Sequence, residues 1–358
     1  MKKRTHKTTW LIPTCLFPLI LFYVSACFSI GEDKITHTDL PQDVSGMRRM
    51  DDTIYTWPYR PFSKDNKLVK IAAPTLVIES EHPRLDGATA LFPVYAAAVQ
   101  AVYKNIASVN ENAIVIETGG IGTARPSQPI RVSTTPQAYN NLIAGLADVI
   151  FCAQPSLEQI ERARAQGIEF QLTPLGREAF VLFVNKANPV GNLTGGQVRA
   201  IYKKQIVNWS GVGGANKTIL PFQRPKNSGS QTAMEMQVMR GEPMAAPLEE
   251  EISIFMGGIV RAAAAYRNAP NAIGYSFRFF VTTMTGAKGI KLLKIDGVAP
   301  TVETIRDGTY PYAGNFYAIT TNKTANNPHV QELIAWFLSP QGQKLIEDTG
   351  YVSLGKTP

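Results

Sequence analysis

The chain has 358 residues, 44% of them hydrophobic and 18% charged, which is ordinary for a globular protein and long enough for two domains. Its formal charge of +8 falls to +4 once Lys2, Lys3, Arg4 and Lys7 are removed, and no basic run is interleaved with aromatics, so nucleic acid is not an expected partner. The three cysteines (Cys15, Cys27, Cys152) and the scattered His37, His82 and His329 lack the spacing of a zinc site or a disulfide framework, so neither a metal nor another cofactor is expected.

The basic start is followed by an apolar run from Trp10 to Val24. As a helix it would span roughly 22 Å, short of a hydrocarbon core of about 30 Å, and Pro13 and Pro18 weaken it further as a permanent span. It reads as a signal peptide over residues 1–26. The run ends in Val24-Ser25-Ala26-Cys27, which resembles the lipobox of bacterial lipoproteins. That resemblance implies cleavage before Cys27, lipidation of its thiol and a membrane anchor outside the cytoplasm. Residues 27–67, broken by Pro41, Gly46, Pro58 and Pro61, read as a tether on which Trp57, Tyr59 and Phe62 can pack locally.

The body begins near Leu68. Thr75-Leu76-Val77-Ile78 is predicted as a short strand, and Leu85 to Ala90 as a loop ending in a helix start with Thr89 at its tip. Leu91, Val94, Tyr95, Ala98, Val99, Val102 and Tyr103 give the helix an apolar face, and Pro93 is tolerated in its first turn. Ala113 to Glu117 is the next strand. Gly119-Gly120-Ile121-Gly122 lacks the rest of a dinucleotide fingerprint and reads as a turn. Ser133-Thr134-Thr135-Pro136 opens another helix, with Thr135 as cap and Pro136 first in the helix. Asp148 to Ala153 is an apolar strand in which Cys152 is a small buried hydrophobe. Strands at 179–184, 273–277 and 316–320 then alternate with helices at 194–203, 330–338 and 341–349, an α/β pattern with helix-covered sheets.

The most informative stretch is Pro221 to Arg240. Gln231 to Arg240 reads as a helix stopped by Gly241, which puts Ser228, Gly229 and Ser230 at its N-terminus. Backbone N–H groups at a helix start have no partner within the helix, and together with two hydroxyls and the helix dipole they suit an oxyanion. Arg224 can fold back with a planar fork of donors. A Ser-Gly-Ser start is also an ordinary cap. It is the company of Thr89 and of Ser133, Thr134 and Thr135 at two further helix starts that suggests convergence on one anion.

From Leu68 to Leu354 the chain resembles the phosphate-binding lipoproteins of bacterial ABC importers, within the type II periplasmic-binding-protein fold. The carriers are Leu85-Asp86-Gly87-Ala88-Thr89, Arg177 to Lys186 with Asn188-Pro189, Ile201-Tyr202-Lys203 with Asn208-Trp209, Ala272-Ile273-Gly274-Tyr275, Phe337 to Gln343, and Arg224 followed by Ser228-Gly229-Ser230. The resemblance implies two α/β domains, 68–174 plus 312–358 and 175–311, joined by two hinge crossings with the ligand in the cleft. It implies phosphate or a related anion held by Thr89, Ser133, Thr134, Thr135, Arg224, Ser228, Gly229 and Ser230, and delivery by a non-enzymatic monomer to ABC permease subunits. Two features depart from the family: its proton-accepting Asp is replaced by Ala153 followed by Gln154, and a second Asp by Lys226. The first departure implies weaker discrimination against sulfate. Other uses of the scaffold are sensing or adhesion by a surface lipoprotein, or, less in keeping with the residues, phosphoester hydrolysis, for which Ser353-Leu354-Gly355-Lys356 offers only a Ser-x-x-Lys pattern in an expected tail.

Overall fold

A computed structural model of the protein describes residues 55–106, 114–116, 129–253, 256–265, 271–324 and 327–355. The signal peptide, Cys27, most of the expected tether and the 119–122 turn lie outside the described residues. The first strand, β1 (Leu85–Gly87), falls in the segment expected to be a loop. Thr75 to Ile78 forms only an isolated bridge from Ile78 to Tyr103. The β-branched run there is half exposed, with Val77 at 47%. Leu85-Asp86-Gly87 instead fills an interior slot beside Val149, Ile150 and Phe151. Position in the sheet overrides residue preference here.

β1 is joined by β2 (Ile114–Ile116), β3 (Ile130–Val132) and β4 (Val149–Cys152) in a parallel block ordered β2-β3-β1-β4. The sheet continues antiparallel through β11 (Ala313–Thr321), β5 (Phe170–Asn185) and β8 (Ala272–Phe277), and ends with β7 (Leu220–Pro221) parallel to β8. Two further strands, β9 (Ile290–Leu292) and β12 (Val352–Ser353), also pair with β5. The segment expected as a C-terminal tail therefore contributes a strand. A separate small pair joins β6 (Asn192–Leu193) to β10 (Lys294–Ile295).

Apolar side chains gather in two large clusters. One surrounds α1 (Phe92–Val102), whose residues are buried nearly all round, and takes in Leu85, Phe151, Phe316, Phe337 and Ile346. A helix apolar on every side belongs in an interior. The other surrounds the C-terminal half of β5, with Phe183, Tyr202, Trp209, Ile273, Tyr275 and Phe280. Tyr59 joins the first cluster and Tyr55 meets Phe280 edge to face, so the last part of the expected tether is docked on the body.

Two strands pass from one cluster to the other. On β5, Leu175 belongs to the first and Ala179 to Val184 to the second; on β11, Phe316 belongs to the first and Ala313 packs on the second. Their ladder shifts register where Phe316 faces Gly176 and Tyr317 faces Pro174, a bulge in which Leu175 is the extra residue. In this passage Glu178 is 6% exposed. Its carboxylate accepts the N–H of Ala179 at 2.8 Å and of Phe279 at 3.1 Å, with Arg278 Nε at 3.6 Å.

Two helices meet at a tight corner below the first cluster. Ser339 ends α8 (Pro328–Leu338) and caps α9 (Pro340–Thr349), accepting from Gly342 N at 3.3 Å and donating to Trp336 O at 2.6 Å. A Cβ on Gly342 would strike Trp336 O and lie 2.5 Å from Phe337 Cα. Both obstacles are backbone, so Gly342→Ala is expected to destabilise the protein by about 2 kcal/mol or more, read as a lower urea midpoint. Burial pushes the Glu178 carboxyl up to about 7, despite Arg278 and the two backbone donors. The sign follows from proton uptake on folding: the stabilisation is full below the ordinary glutamate value and is lost as pH rises through about 7. Denaturation of wild type and Glu178→Gln from pH 4 to pH 8 should show a steeper decline in the wild type.

Candidate anion-binding site

The helix after the Arg224 loop begins as α5 (Gly229–Ala233) and continues without a break as a π-helical turn, Met234–Val238. It ends at Val238, two residues short of the expected Arg240, and Arg240 at φ 56 and Gly241 at φ 81 both lie in the left-handed region. Ser228 is the N-cap: its hydroxyl accepts from Gln231 N at 3.3 Å, which leaves the hydroxyl proton free to point outward. The Ser230 hydroxyl oxygen is buried with no hydrogen-bond partner among the described residues, and the residue is only 1% exposed. An unsatisfied buried donor is costly unless something fills its place.

Arg224, expected to fold back towards the helix start, is 9% exposed. Its N–H donates to Gln231 Oε1 at 3.1 Å and to Tyr275 Oη at 3.0 Å, and the Tyr275 hydroxyl also donates to Gln231 Oε1. One guanidinium nitrogen donates to Ser253 O at 2.8 Å. The loop is thus tied to the helix it precedes and to β8. Burial pushes the Tyr275 hydroxyl well above its ordinary value, so it stays protonated as a donor.

In the first of the three expected segments, Thr89 is 3% exposed in a single 3-10 turn, Thr89–Leu91, that leads into α1. The helix expected from Pro136 is α2 (Thr134–Ile143), with Ser133, not Thr135, at the cap position. Ser133 does not cap by its side chain and does not face the site as expected. Its N–H and hydroxyl both go to Asp86, at 3.0 and 2.5 Å. Asp86 also accepts from Gly87 N at 2.7 Å and from Asn141 Nδ2 at 2.7 Å. A fully buried carboxylate attracts every nearby donor, and Ser133 is the nearest hydroxyl. Burial raises the Asp86 carboxyl while these bonds lower it. Thr134 adopts φ 68, a strained state for a β-branched residue.

The second and third segments meet at one contact: a Cβ built on Gly229 would lie 2.8 Å from Thr135 Oγ1. Thr135 lines a cavity of about 630 Å³ together with Ala88 and Ala90, which flank Thr89, and with Ala233 and Gln237 from the helix after Ser228. Ala153, Gln154 and Glu178 line it too. The Ala153 carbonyl accepts from Tyr139 Oη at 2.7 Å, and Gln154 lies against Met236. Sequence reasoning missed Asp86, Asn141, Gln231 and Tyr275, the residues that hold the donors in place. Asp86 and Tyr275 stood in the motifs that carry the resemblance and Gln231 opened the expected helix, but none of them carried a role there. Among the described residues no group of three His, Cys, Asp or Glu is placed to hold a metal, and no helix is long and apolar enough to cross a membrane.

Comparison with known proteins bears on the fold and the family. The protein SphX of Synechococcus elongatus is 23% identical over 285 residues, covering 75% of this chain and 76% of that protein. The phosphate-binding protein PstS of Borreliella burgdorferi is 24% identical over 186 residues, covering 51% of this chain and 65% of that protein. Among solved structures, a candidate phosphate ABC transporter substrate-binding protein from Clostridium perfringens, with bound phosphate, superposes with a TM-score of 0.54 at 20% identity. It covers 76% of this chain and 99% of its own. Residues 82–341 match the family described as the PBP superfamily domain. With its mixed α/β sheet and two apolar clusters linked by two strands, the chain belongs to that family.

Proposed function

We propose that this protein is an extracytoplasmic receptor for phosphate or a similar oxyanion, which it delivers to an ABC importer without chemical change. The observation that carries the reading is the buried, unpartnered Ser230 hydroxyl at a helix start packed against Thr135, close in sequence to the desolvated Arg224. Thr89, Thr134, Thr135, Ser228, the Gly229 and Ser230 amides and the Ser230 hydroxyl would supply neutral donors, and Arg224 the countercharge. Hydrogen bonds to a charged group contribute about 1.5–3 kcal/mol each, so several of them give micromolar affinity after ordering costs. The names of the relatives, phosphate-binding protein and phosphate transporter substrate-binding protein, support the same ligand.

In this reading 68–174 with 312–358 form one lobe and 175–311 the other. The paired β5 and β11 crossings act as the hinge, and closure presents a docking face to the permease. Residues 1–26 direct export, and Cys27 carries the lipid that holds the monomeric receptor at a bacterial membrane. Ala153 and Gln154 offer no carboxylate to accept the proton that phosphate keeps and sulfate lacks, so selectivity between the two is modest.

Calorimetry at pH 7 on protein freed of carried-over anion tests the site. Phosphate should bind at micromolar or tighter concentration, Arg224→Ala should weaken it on the order of 100-fold or more, and sulfate should bind within about tenfold of phosphate. Absence of phosphate binding by the wild type would overturn the reading, and phosphate selectivity of several orders of magnitude would overturn the part assigned to Ala153 and Gln154.

A further inference from the structure

The loop between Arg224 and Ser228 is held from a second direction. α3 (Leu157–Arg164) starts at Ser156 with a complete capping box, in which Ser156 Oγ accepts from Gln159 N at 3.2 Å and Gln159 Oε1 accepts from Ser156 N at 2.9 Å. Both residues have polar capacity left over, and both spend it on Asn227. Ser156 Oγ donates to Asn227 Oδ1 at 2.7 Å, and Gln159 Nε2 donates to Asn227 O at 3.4 Å. Between them in sequence, Glu158 accepts from Asn227 Nδ2 at 3.0 Å and pairs with Lys226 Nζ at 2.7 Å. Asn227 meets these partners at φ 66, a left-handed state that asparagine tolerates better than most residues.

The two sides of this cluster stand about seventy residues apart in the chain, one before the β5 crossing and the other after it. Arg162, one turn along α3, also pairs with Glu158, at 3.2 Å. The Lys226 side chain is 75% exposed and that of Glu158 42%, so the ion pair alone contributes little. The part-buried bonds to Asn227 carry most of the contact.

We infer that the first turn of α3 and the Lys226-Asn227 pair form a clasp between the two lobes, with Asn227 and Glu158 as positioning residues for the anion loop. The inference rests on the receptor reading and goes beyond it: the clasp sets how long the ligand stays. Opening about the β5 and β11 crossings separates α3 from the loop and breaks every one of these bonds. They are made only in the closed state, so they favour that state and slow release more than they change capture. The place occupied by an acidic residue in the resembling family is here Lys226, which reaches across to Glu158 instead.

Asn227→Gly is the discriminating variant, because glycine keeps the left-handed backbone while deleting both side-chain bonds. Stopped-flow measurement on the purified full chain should show phosphate dissociation faster by on the order of tenfold, with association changed by less than about threefold. Glu158→Ala, which removes the acceptor of Asn227 Nδ2, should also accelerate release, whereas Lys226→Ala, which removes only the exposed ion pair, should change it by less than about twofold. Hydrogen exchange of the phosphate-free protein reads the clasp without ligand, through the fraction of molecules that the clasp holds closed: in Asn227→Gly, amides at 156–160 and at 226–230 should lose protection together. A wild type that fails to bind phosphate sinks the receptor reading but leaves the exchange result standing. Unchanged dissociation in Asn227→Gly, or lost protection confined to 226–230, overturns the clasp.

Discussion

The site depends on one close approach. At Gly229 the backbone comes so near Thr135 that a Cβ there would lie 2.8 Å from its Oγ1, and the neighbouring Ser230 hydroxyl is left buried and unbonded. Two segments about ninety residues apart in sequence can be pressed together in this way only if the sheet between them is continuous. β5 and β11 provide that continuity, since each enters both apolar clusters. A fold with separate sheets joined by loose linkers would leave the approach of the two segments to chance.

Around that contact, polar side chains hold the donors in position. Asp86 gathers Gly87, Ser133 and Asn141, which locks the end of β1 to the start of α2 and so fixes Thr89 relative to Thr135. Gln231 and Tyr275 receive the Arg224 amide and tie its loop to β8. These groups are buried and bonded to the protein, so their ordering cost is met on folding and not again when a ligand arrives. Burial of Arg224 adds to the effect, because a desolvated guanidinium interacts with an anion more strongly than a hydrated one.

The same arrangement explains why a helix start that looks like an ordinary cap can do two things. Ser228 caps through its oxygen and keeps its proton for another acceptor, and Ser156 does the same on α3, capping Gln159 while donating to Asn227. A hydroxyl has one donor and two acceptor positions, so capping leaves its donor uncommitted. Sequence inspection places Ser228 at a helix start and passes over Ser156 and the helix behind it, and for neither hydroxyl does it say where the spare proton goes.

What the residues determined by themselves was local. The apolar run from Phe92 to Val102, the helix that begins behind Thr194, the two helices divided at Ser339, the buried Cys152 and the helix start at Ser228 all follow from spacing and capping chemistry within a dozen residues. What only the tertiary structure decided was which segment takes an interior place. Leu85-Asp86-Gly87 became the strand and Thr75 to Ile78 did not, because the vacancy lay between partners far away in the chain. Likewise Ser133 turned to Asp86, Arg224 was buried and Asn227 met α3, since hydrogen-bond partners and solvent exposure are properties of the assembled molecule, and short-range patterns carry no record of them.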